Sequence, residues 1–465
     1  MVRRRIVIDS CDVLVTMDDA GTEIAGGSLL VEDGVIAWVG HGSVPNAEGA
    51  EVVNGRGTVA TPGLINSHHH LYQSMTRVYA QEQGLFGWLR RLYPVWTGLD
   101  LDWMRAAAGV GLAELALSGC STTTDHHYIF PSGMTGILEA EVDVARAIGL
   151  RFHPCRGSMD LGASSGGLPP DEIVEDLDAI LSHTEAAVHR LHDPGPGSML
   201  RVAVAPCSPF SATPRLMRES ATLARRLGVR LHTHIAETAD EAQYCVQTFG
   251  RRPLELLEDL EWLGSDVWLA HCVHLNDDDV RRIAQTGTAV AWCPSSNLRL
   301  GSGIAPARAL LDAGAAVGLA VDGSASNDTG HMLAEVRQAM LAVRAQGPDG
   351  ITARGALRVA TRGSARCLGW DDIGALEVGK RGDVALFRVD GLAFAGADAD
   401  PVAALIFCTP QRVHDLFVEG RAVVREGRLV NVDEQALAAD GHRVGRRIAR
   451  FGESRVTSHE LRGSA

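Results

Sequence analysis

Four segments of this chain end an apolar run on side chains that bind metals or carry protons. The first is Pro62-Gly63-Leu64-Ile65-Asn66-Ser67-His68-His69-His70, a Pro-Gly turn and a short apolar run leading into a His-x-His pair. Residues i and i+2 of an extended segment point the same way, so His68 and His70 can present two imidazoles to one ion. A pair of this kind also occurs in solvated loops, so it gains weight only from its company. That company is Leu231-His232-Thr233-His234-Ile235-Ala236-Glu237, Leu269-Ala270-His271 and Leu319-Ala320-Val321-Asp322-Gly323. Together the four predict a catalytic metal centre.

His68, His70, His234 and Asp322 are the expected metal ligands, with one position left for water. Three imidazoles and a carboxylate suit a single Zn2+, with Fe2+ or Mn2+ behind it on ligand softness. A metal held there would lower the pKa of a water so that hydroxide exists at neutral pH, and Asp322 could also accept the water's proton. Glu237 follows His234 by three residues across a turn, near the metal without ligating it, as a proton shuttle requires. His271 would hydrogen-bond the nucleophile or the tetrahedral intermediate. Glu237, His271 and Asp322 are therefore the expected catalytic residues. The other histidines read more plainly: His69 faces away from its neighbours and is structural. His232 shares the face of His234 one layer deeper, where it packs or supports a ligand. His126, His127 and His274 read as ordinary residues at the ends of strands.

The elements that must position these groups follow from the spacing. From about Ala60 to Asp322, eight short apolar or β-branched runs end near His68, His127, Arg156, Pro206, His234, His271, Cys293 and Asp322. Helical patterns lie between most of them, among them Trp103 to Ser118, Pro214 to Leu227, Asp277 to Gln285 and Pro306 to Ala313. Eightfold alternation predicts a distorted (β/α)8 barrel over 60–375, with its site at the C-terminal ends of the strands. Residues 1–59 and 376–432 read as short alternating strands broken by Gly-containing turns. They predict one small β-sandwich domain built from both chain ends, followed by a helical, Arg-rich tail over 433–465. The stretch from Leu71 to about Asp100 reads as a long loop carrying Gln73, Arg77, Phe86, Trp88, Tyr93 and Trp96. Such loops form the substrate pocket or a lid, and Gln73 and Trp96 are assigned to substrate.

Composition sets limits on function. The 465 residues are 46% hydrophobic and 22% charged, with a formal charge of −14. That charge disfavours a nucleic-acid backbone or an anionic membrane as partner but leaves a small, nearly neutral nucleobase open. No apolar stretch approaches the roughly 18 residues of a membrane span. The basic start Met1-Val2-Arg3-Arg4-Arg5-Ile6 lacks a signal-peptide core, since Asp9, Cys11 and Asp12 interrupt it. Nine scattered cysteines form no disulfide pattern, so a cytoplasmic location is expected. Lys380 is the chain's only lysine and lies past the last barrel strand. A centre in which a carboxylated lysine bridges two metals is thereby excluded, and a mononuclear one favoured. Two other hydrolytic designs fit poorly. His183-Thr184-Glu185 has no accompanying Cys-x-x-Cys, and Gly162-Ala163-Ser164-Ser165-Gly166 runs into the loop sequence Gly167-Leu168-Pro169-Pro170 rather than a strand-to-helix elbow.

The set resembles the amidohydrolase superfamily over nearly the whole chain, including Leu376-Glu377-Val378-Gly379-Lys380-Arg381-Gly382-Asp383 at the start of the C-terminal flank. Within that superfamily it resembles the mononuclear aminohydrolases related to guanine and cytosine deaminases. The resemblance implies hydrolytic deamination, with Glu237 passing a proton to a ring nitrogen as ammonia leaves. Finer segments are similar to the 8-oxoguanine deaminases. These are His68 through Arg77, Leu92-Tyr93-Pro94-Val95-Trp96, Ala205 through Ser211, Cys293 through Arg299 and Asp322 through Asp328. The implied reaction is 8-oxoguanine to urate and ammonia, with pterin or hydroxylated s-triazine aminohydrolases as alternatives. Guanine deaminases carry an Arg-Phe pair after the fourth strand, where this chain has Cys207-Ser208. Loss of the guanidinium removes a charge-assisted hydrogen bond to the purine carbonyl, so 8-oxoguanine is expected to be preferred over guanine, with Cys207 and Ser208 at the substrate. Gln73 is expected to read a ring nitrogen or carbonyl. A homo-oligomer is expected. A non-catalytic scaffold of the same fold would lack ligands, and none is missing here.

Overall fold

The computed structural model describes residues 4–131 and 134–462, with the side chains of 454–462 left aside. Met1–Arg3 of the basic start and the last three residues of the tail lie outside the described residues. The N-terminal flank forms β1 (Arg5–Val15), β2 (Glu23–Glu32), β3 (Val35–His41), β4 (Glu51–Asn54) and β5 (Thr58–Pro62). Eight strands follow in the centre of the chain: β6 (Leu64–Asn66), β7 (Cys120–His127), β8 (Arg151–Ser158), β9 (Ala203–Pro206), β10 (Leu231–Ile235), β11 (Val267–His271), β12 (Ala289–Trp292) and β13 (Val317–Leu319). The C-terminal flank adds β14 (Val384–Arg388), β15 (Asp415–Val418), β16 (Arg421–Arg425) and β17 (Arg428–Leu429).

Strands β6 to β13 pair in parallel in chain order. The ends of the sheet meet through backbone bonds from Ser67 N–H to the Leu319 carbonyl (3.0 Å) and from Asp322 N–H to the His68 carbonyl (3.2 Å). The Asn66 side chain fills the same seam by accepting from Val321 N–H at 2.9 Å. The seam is irregular, so the barrel is nearly closed and distorted, and it brings the segments bearing His68 and Asp322 side by side. Pro62-Gly63 makes the entry possible, since a Cβ on Gly63 would lie 2.4 Å from the Ser121 side chain on the neighbouring strand.

Strands from both chain ends make one hydrogen-bonded mixed sheet, in the order β17-β16-β15-β14-β5-β1-β2-β3, with β4 pairing on β1. β5 crosses the expected boundary at residue 59 and belongs to this sheet through its antiparallel pairing with β14. The fully buried Arg151 of β8 joins the sheet to the barrel. It is ion-paired to Asp383 (3.1 Å) and Glu419 (2.5 Å). The tail is the helix Glu434–Arg462, which buries Val444 and Ile448 and pairs Arg443 with Asp102 and Arg447 with Asp100.

The expected loop after the first barrel strand is instead a 3-10 turn over Leu71–Thr76 and the helix α1 (Leu85–Trp96), followed by α2 (Leu101–Leu117). Leu85, Trp88, Leu89, Leu92, Tyr93 and Trp96 recur at helical spacing and are all buried. Pro94, a helix breaker in a sequence reading, sits in the last turn, where it interrupts little. No described helix is long and apolar enough to cross a membrane, and all nine cysteines are free thiols.

Candidate metal centre and active site

The three proposed histidine ligands and Asp322 converge at the C-terminal mouth of the barrel, and their surroundings fix which nitrogen of each ring faces inward. The His70 Nδ1–H donates to the His126 carbonyl at 2.8 Å, and the His234 Nδ1–H to the Cys207 carbonyl at 2.6 Å. His232 Nδ1 lies 2.8 Å from the Trp268 carbonyl, so it carries the proton and its Nε2 accepts from His68 Nδ1–H at 2.7 Å. Each candidate ligand therefore turns an Nε2 lone pair toward the same point. His70 Nε2 and His234 Nε2 are 3.0 Å apart. His68 Nε2 and His70 Nε2 are each 3.3 Å from Asp322 Oδ1.

Burial pushes His70 and His234 down to about 4 and His68 well below its ordinary value, so all three rings are neutral at pH 7. Two lone pairs facing each other at 3.0 Å with no proton to share repel, and a cation between them removes the conflict. His68 Nε2 is likewise buried without a hydrogen-bond partner. Three imidazoles and a carboxylate match the donor set of a divalent metal, so the residues present fit the group.

Around this point the backbone takes unusual shapes. His271 (φ 73°), Ala236 (φ 52°) and Asp322 (φ 62°) all adopt the left-handed region just where their strands end. Such conformations outside glycine collect at functional sites. Asp322 Oδ2 accepts from Ser296 Oγ (2.6 Å) and Ser326 Oγ (3.2 Å), and Oδ1 from Gly323 N–H (2.7 Å). Burial would raise its carboxyl, but the close approach of His68, then of His271 and His70, holds it well below the usual carboxylate range.

Glu237 behaves oppositely. Burial, then the charges of Asp322 and Glu241, push its carboxyl well above the usual range, which suits a group that must hold and release a proton. Its Oε2 is 3.5 Å from His271 Nε2, which is itself 4.0 Å from Asp322 Oδ2. Asn297 Nδ2 donates to His271 Nδ1 at 3.0 Å, which leaves Nε2 as the protonated, cavity-facing nitrogen. The buried Glu241 carboxylate accepts from the backbone N–H groups of Ala236 (2.8 Å) and Glu237 (2.7 Å), fixing the turn that carries Glu237.

The cavity at this mouth is narrow, about 30 Å3, and is lined by His70, Gln73, Tyr128, Cys207, His234, Glu237, His271, Asp322 and Ser326. α1 roofs it with Leu85, Trp88, Leu89 and Tyr93, and Phe210 and Leu300 complete the apolar wall. No Arg or Lys lines it among the described residues.

Of the residues expected at substrate, Gln73 and Cys207 face the cavity. Trp96 stands behind its wall, edge-on to Tyr72 and Trp88, with Nε1 donating to Thr76 Oγ1 at 3.2 Å. Ser208 is also behind the wall, bonded to Ser211 Oγ at 2.8 Å. His69 points away from the centre, as expected, and packs toward Gly111 of α2. His126 is closer to the chemistry than its ordinary reading, since its carbonyl receives His70 and its ring stacks on His234 at 4.8 Å.

The ring of His127 belongs to a second buried group outside the cavity, with Nδ1 2.9 Å from Glu141 Oε1 on the helix α3 (Ile137–Ile148). Neighbouring Asp125 accepts Leu71 N–H at 2.5 Å and so anchors the residue after His70. Lys380 lies in the C-terminal flank, half-buried and bonded to the Asp371 carbonyl. Ser296, Ser326, Asn297, Tyr128 and Trp88 have no role assigned from sequence. For Ser296 and Asn297 a signal is present, because Pro294 opens a short helix immediately after an apolar strand and aims the next polar side chains at the barrel mouth.

Comparison with known proteins agrees with this geometry. The family model described as "Amidohydrolase family" matches residues 59–423. The chain belongs to the amidohydrolase family. It is 46% identical to an 8-oxoguanine deaminase from Pseudomonas aeruginosa over 90% of this chain and 94% of that one. It is 39% identical to a hydroxydechloroatrazine ethylaminohydrolase from Pseudomonas sp. strain ADP over 94% of each chain. Among solved structures, a zinc-complexed atrazine chlorohydrolase from Arthrobacter aurescens TC1 superposes with a TM-score of 0.91 at 35% identity, over 95% of this chain and all of that one. This amidohydrolase is therefore a metal-dependent hydrolase of the deaminase type, acting on C–N bonds.

Proposed function

We propose that this amidohydrolase hydrolytically deaminates an aminated, planar heterocycle, and that 8-oxoguanine, giving urate and ammonia, is its preferred substrate. The observation that carries the reading is the set of inward-facing lone pairs of His68, His70 and His234 beside Asp322, with a raised-pKa Glu237 across a small cavity. The cavity's apolar roof suits the faces of a flat ring, and its polar groups gather at one edge. Cys207 takes the place of a guanidinium, and with no Arg or Lys on the wall among the described residues plain guanine lacks a charge-assisted partner for its carbonyl. The 46% identity to an 8-oxoguanine deaminase supports the same choice.

His68, His70, His234 and Asp322 would hold one divalent cation, zinc by donor type, which when bound supplies Lewis-acid activation of water and of the ring carbon's substituents. Asp322, held anionic and oriented by Ser296 and Ser326, accepts a proton from the attacking water. Water adds to the amidine-like carbon as Glu237 donates its proton to the adjacent ring nitrogen. His271, with Nε2–H directed inward, donates to the oxygen that becomes the carbonyl. The proton gained by Asp322 then reaches the departing amine, with Glu237 as carrier, so the C–N bond breaks to ammonia. The hydroxyl proton of the former water passes to Glu237 as C=O replaces C–NH2, which leaves Asp322 ionised and Glu237 protonated as at the start.

The test is ammonia release, on protein of measured metal content, from 8-oxoguanine, guanine, isoxanthopterin and hydroxylated s-triazines. The expected result is the highest kcat/KM on 8-oxoguanine. Higher kcat/KM on any other member would overturn the substrate, and release from none would overturn the reaction.

A further inference from the structure

The polar edge of the cavity contains an amide whose orientation is controlled from behind. Gln73 is buried, faces the cavity, and has an Oε1 with no hydrogen-bond partner. Its Nε2 donates to the Tyr72 hydroxyl at 3.3 Å. Tyr72 cannot easily move. It is fully buried, its ring is edge-on to Trp96 (5.1 Å) and Tyr128 (5.8 Å), and its carbonyl accepts from Trp103 Nε1 at 2.8 Å.

On the opposite side the carboxamide lies flat on Gly323. A Cβ at that position would fall 1.9 Å from Gln73 Oε1, 2.4 Å from Cδ and 3.0 Å from Nε2. Gly323 does not have a positive φ, so its backbone conformation is open to other residues, and the nearest obstacle to a side chain there is the amide.

We propose that Tyr72 and Gly323 are positioning residues that clamp the Gln73 carboxamide from two sides and thereby set which hydrogen-bonding edge of a heterocycle this cavity accepts. The inference rests on the deaminase reading above. The Tyr72 hydroxyl holds the NH2 end, which leaves the carbonyl end, buried and unpartnered above Gly323, as the acceptor this residue offers at the cavity wall. A substrate edge bearing a ring N–H is therefore matched, and one bearing a bare ring nitrogen is opposed by two acceptors in contact. Gly323 immediately follows Asp322, so one turn carries both a metal-ligand candidate and the floor under the substrate-reading amide.

The test uses Gly323→Ala, Tyr72→Phe and Gln73→Ala, with the two double variants Gly323→Ala/Gln73→Ala and Tyr72→Phe/Gln73→Ala, all as metal-loaded full-length protein. Kinetics are read on the best substrate of the ammonia-release panel, and crystals of Gly323→Ala show the amide directly. Gly323→Ala and Tyr72→Phe should each raise KM about tenfold, the loss of one well-placed hydrogen bond, with kcat changed about threefold or less and metal content unaltered. In the Gln73→Ala background both effects should vanish, because non-additivity marks groups that act through one another. The Gly323→Ala crystal should show the carboxamide displaced from its place. Effects that persist undiminished without the Gln73 side chain would overturn the proposal. So would a Gly323→Ala crystal in which the carboxamide keeps its place and the Asp322 turn has shifted instead. Absence of turnover on the whole panel would defeat the deaminase reading, whereas the position of the amide in the variant crystal would still decide whether Gly323 clamps it.

Discussion

Glu237→Gln should leave the metal in place and remove nearly all turnover. The side chain keeps its length, and its backbone N–H remains held by Glu241 Oε2 at 2.7 Å. Its distance of 3.5 Å to His271 Nε2 places it at the reacting edge of the cavity, outside both donor groups there, one of His68, His70, His126 and His234 and the other of His68, His271 and Asp322. What Gln loses is the ability to give a proton to the ring nitrogen and to carry one to the leaving amine. A positioned acid–base group contributes about 10²–10⁴ in rate, which corresponds to about 3–5 kcal/mol in the barrel-mouth transition state. The assay is kcat by coupled ammonia detection, beside elemental analysis of the same preparation. A kcat within tenfold of the parent would refute the shuttle role. A fall in activity that tracks loss of metal would refute it too, since Glu237 would then be acting as a ligand.

Two further outcomes follow from the same geometry. His232→Phe removes the acceptor of His68 Nδ1–H, so His68 loses the bond that turns Nε2 inward, and zinc affinity measured by chelator competition should fall about 10–100-fold; an unchanged affinity would mean that His68 is oriented by packing alone. Arg151→Met leaves the buried Asp383 carboxylate without its ion-pair partner at the joint between barrel and terminal sheet, while the half-buried Glu419 keeps Arg381. Denaturant unfolding should show about 3–5 kcal/mol less stability, and a loss below about 1 kcal/mol would remove the ion pairs from the account of that joint.

Most of the candidate site was legible in sequence because barrel strands are short and their ends are marked. The runs ending at His127, Pro206 and His271 stop at those residues in the structure, and the helix from Pro214 to Leu227 is bracketed by a Thr213 cap and a left-handed Gly228. The ligand candidates lie where a parallel barrel must put them. What local pattern could not show is contact between distant segments. His232 reads as a core histidine until the Trp268 carbonyl fixes its tautomer, and Ser296 and Ser326 acquire meaning only when Asp322 arrives from across the seam. Trp96 and Trp88 share one helix and similar flanks, yet their placement two turns apart sends one behind the cavity wall and the other onto it. That distinction requires knowing that 85–96 is a helix, and Pro94 concealed it. The terminal flanks showed their strands clearly, but the pairing of β5 with β14 is set by residues from opposite ends of the chain.

The most direct measurement is the ratio of kcat/KM for 8-oxoguanine to that for guanine, on protein whose metal content is known. One divalent metal per chain and a clear preference for 8-oxoguanine, lost on metal removal and regained with zinc, is the predicted result. Equal or better turnover of guanine, or turnover that survives complete removal of metal, would contradict it.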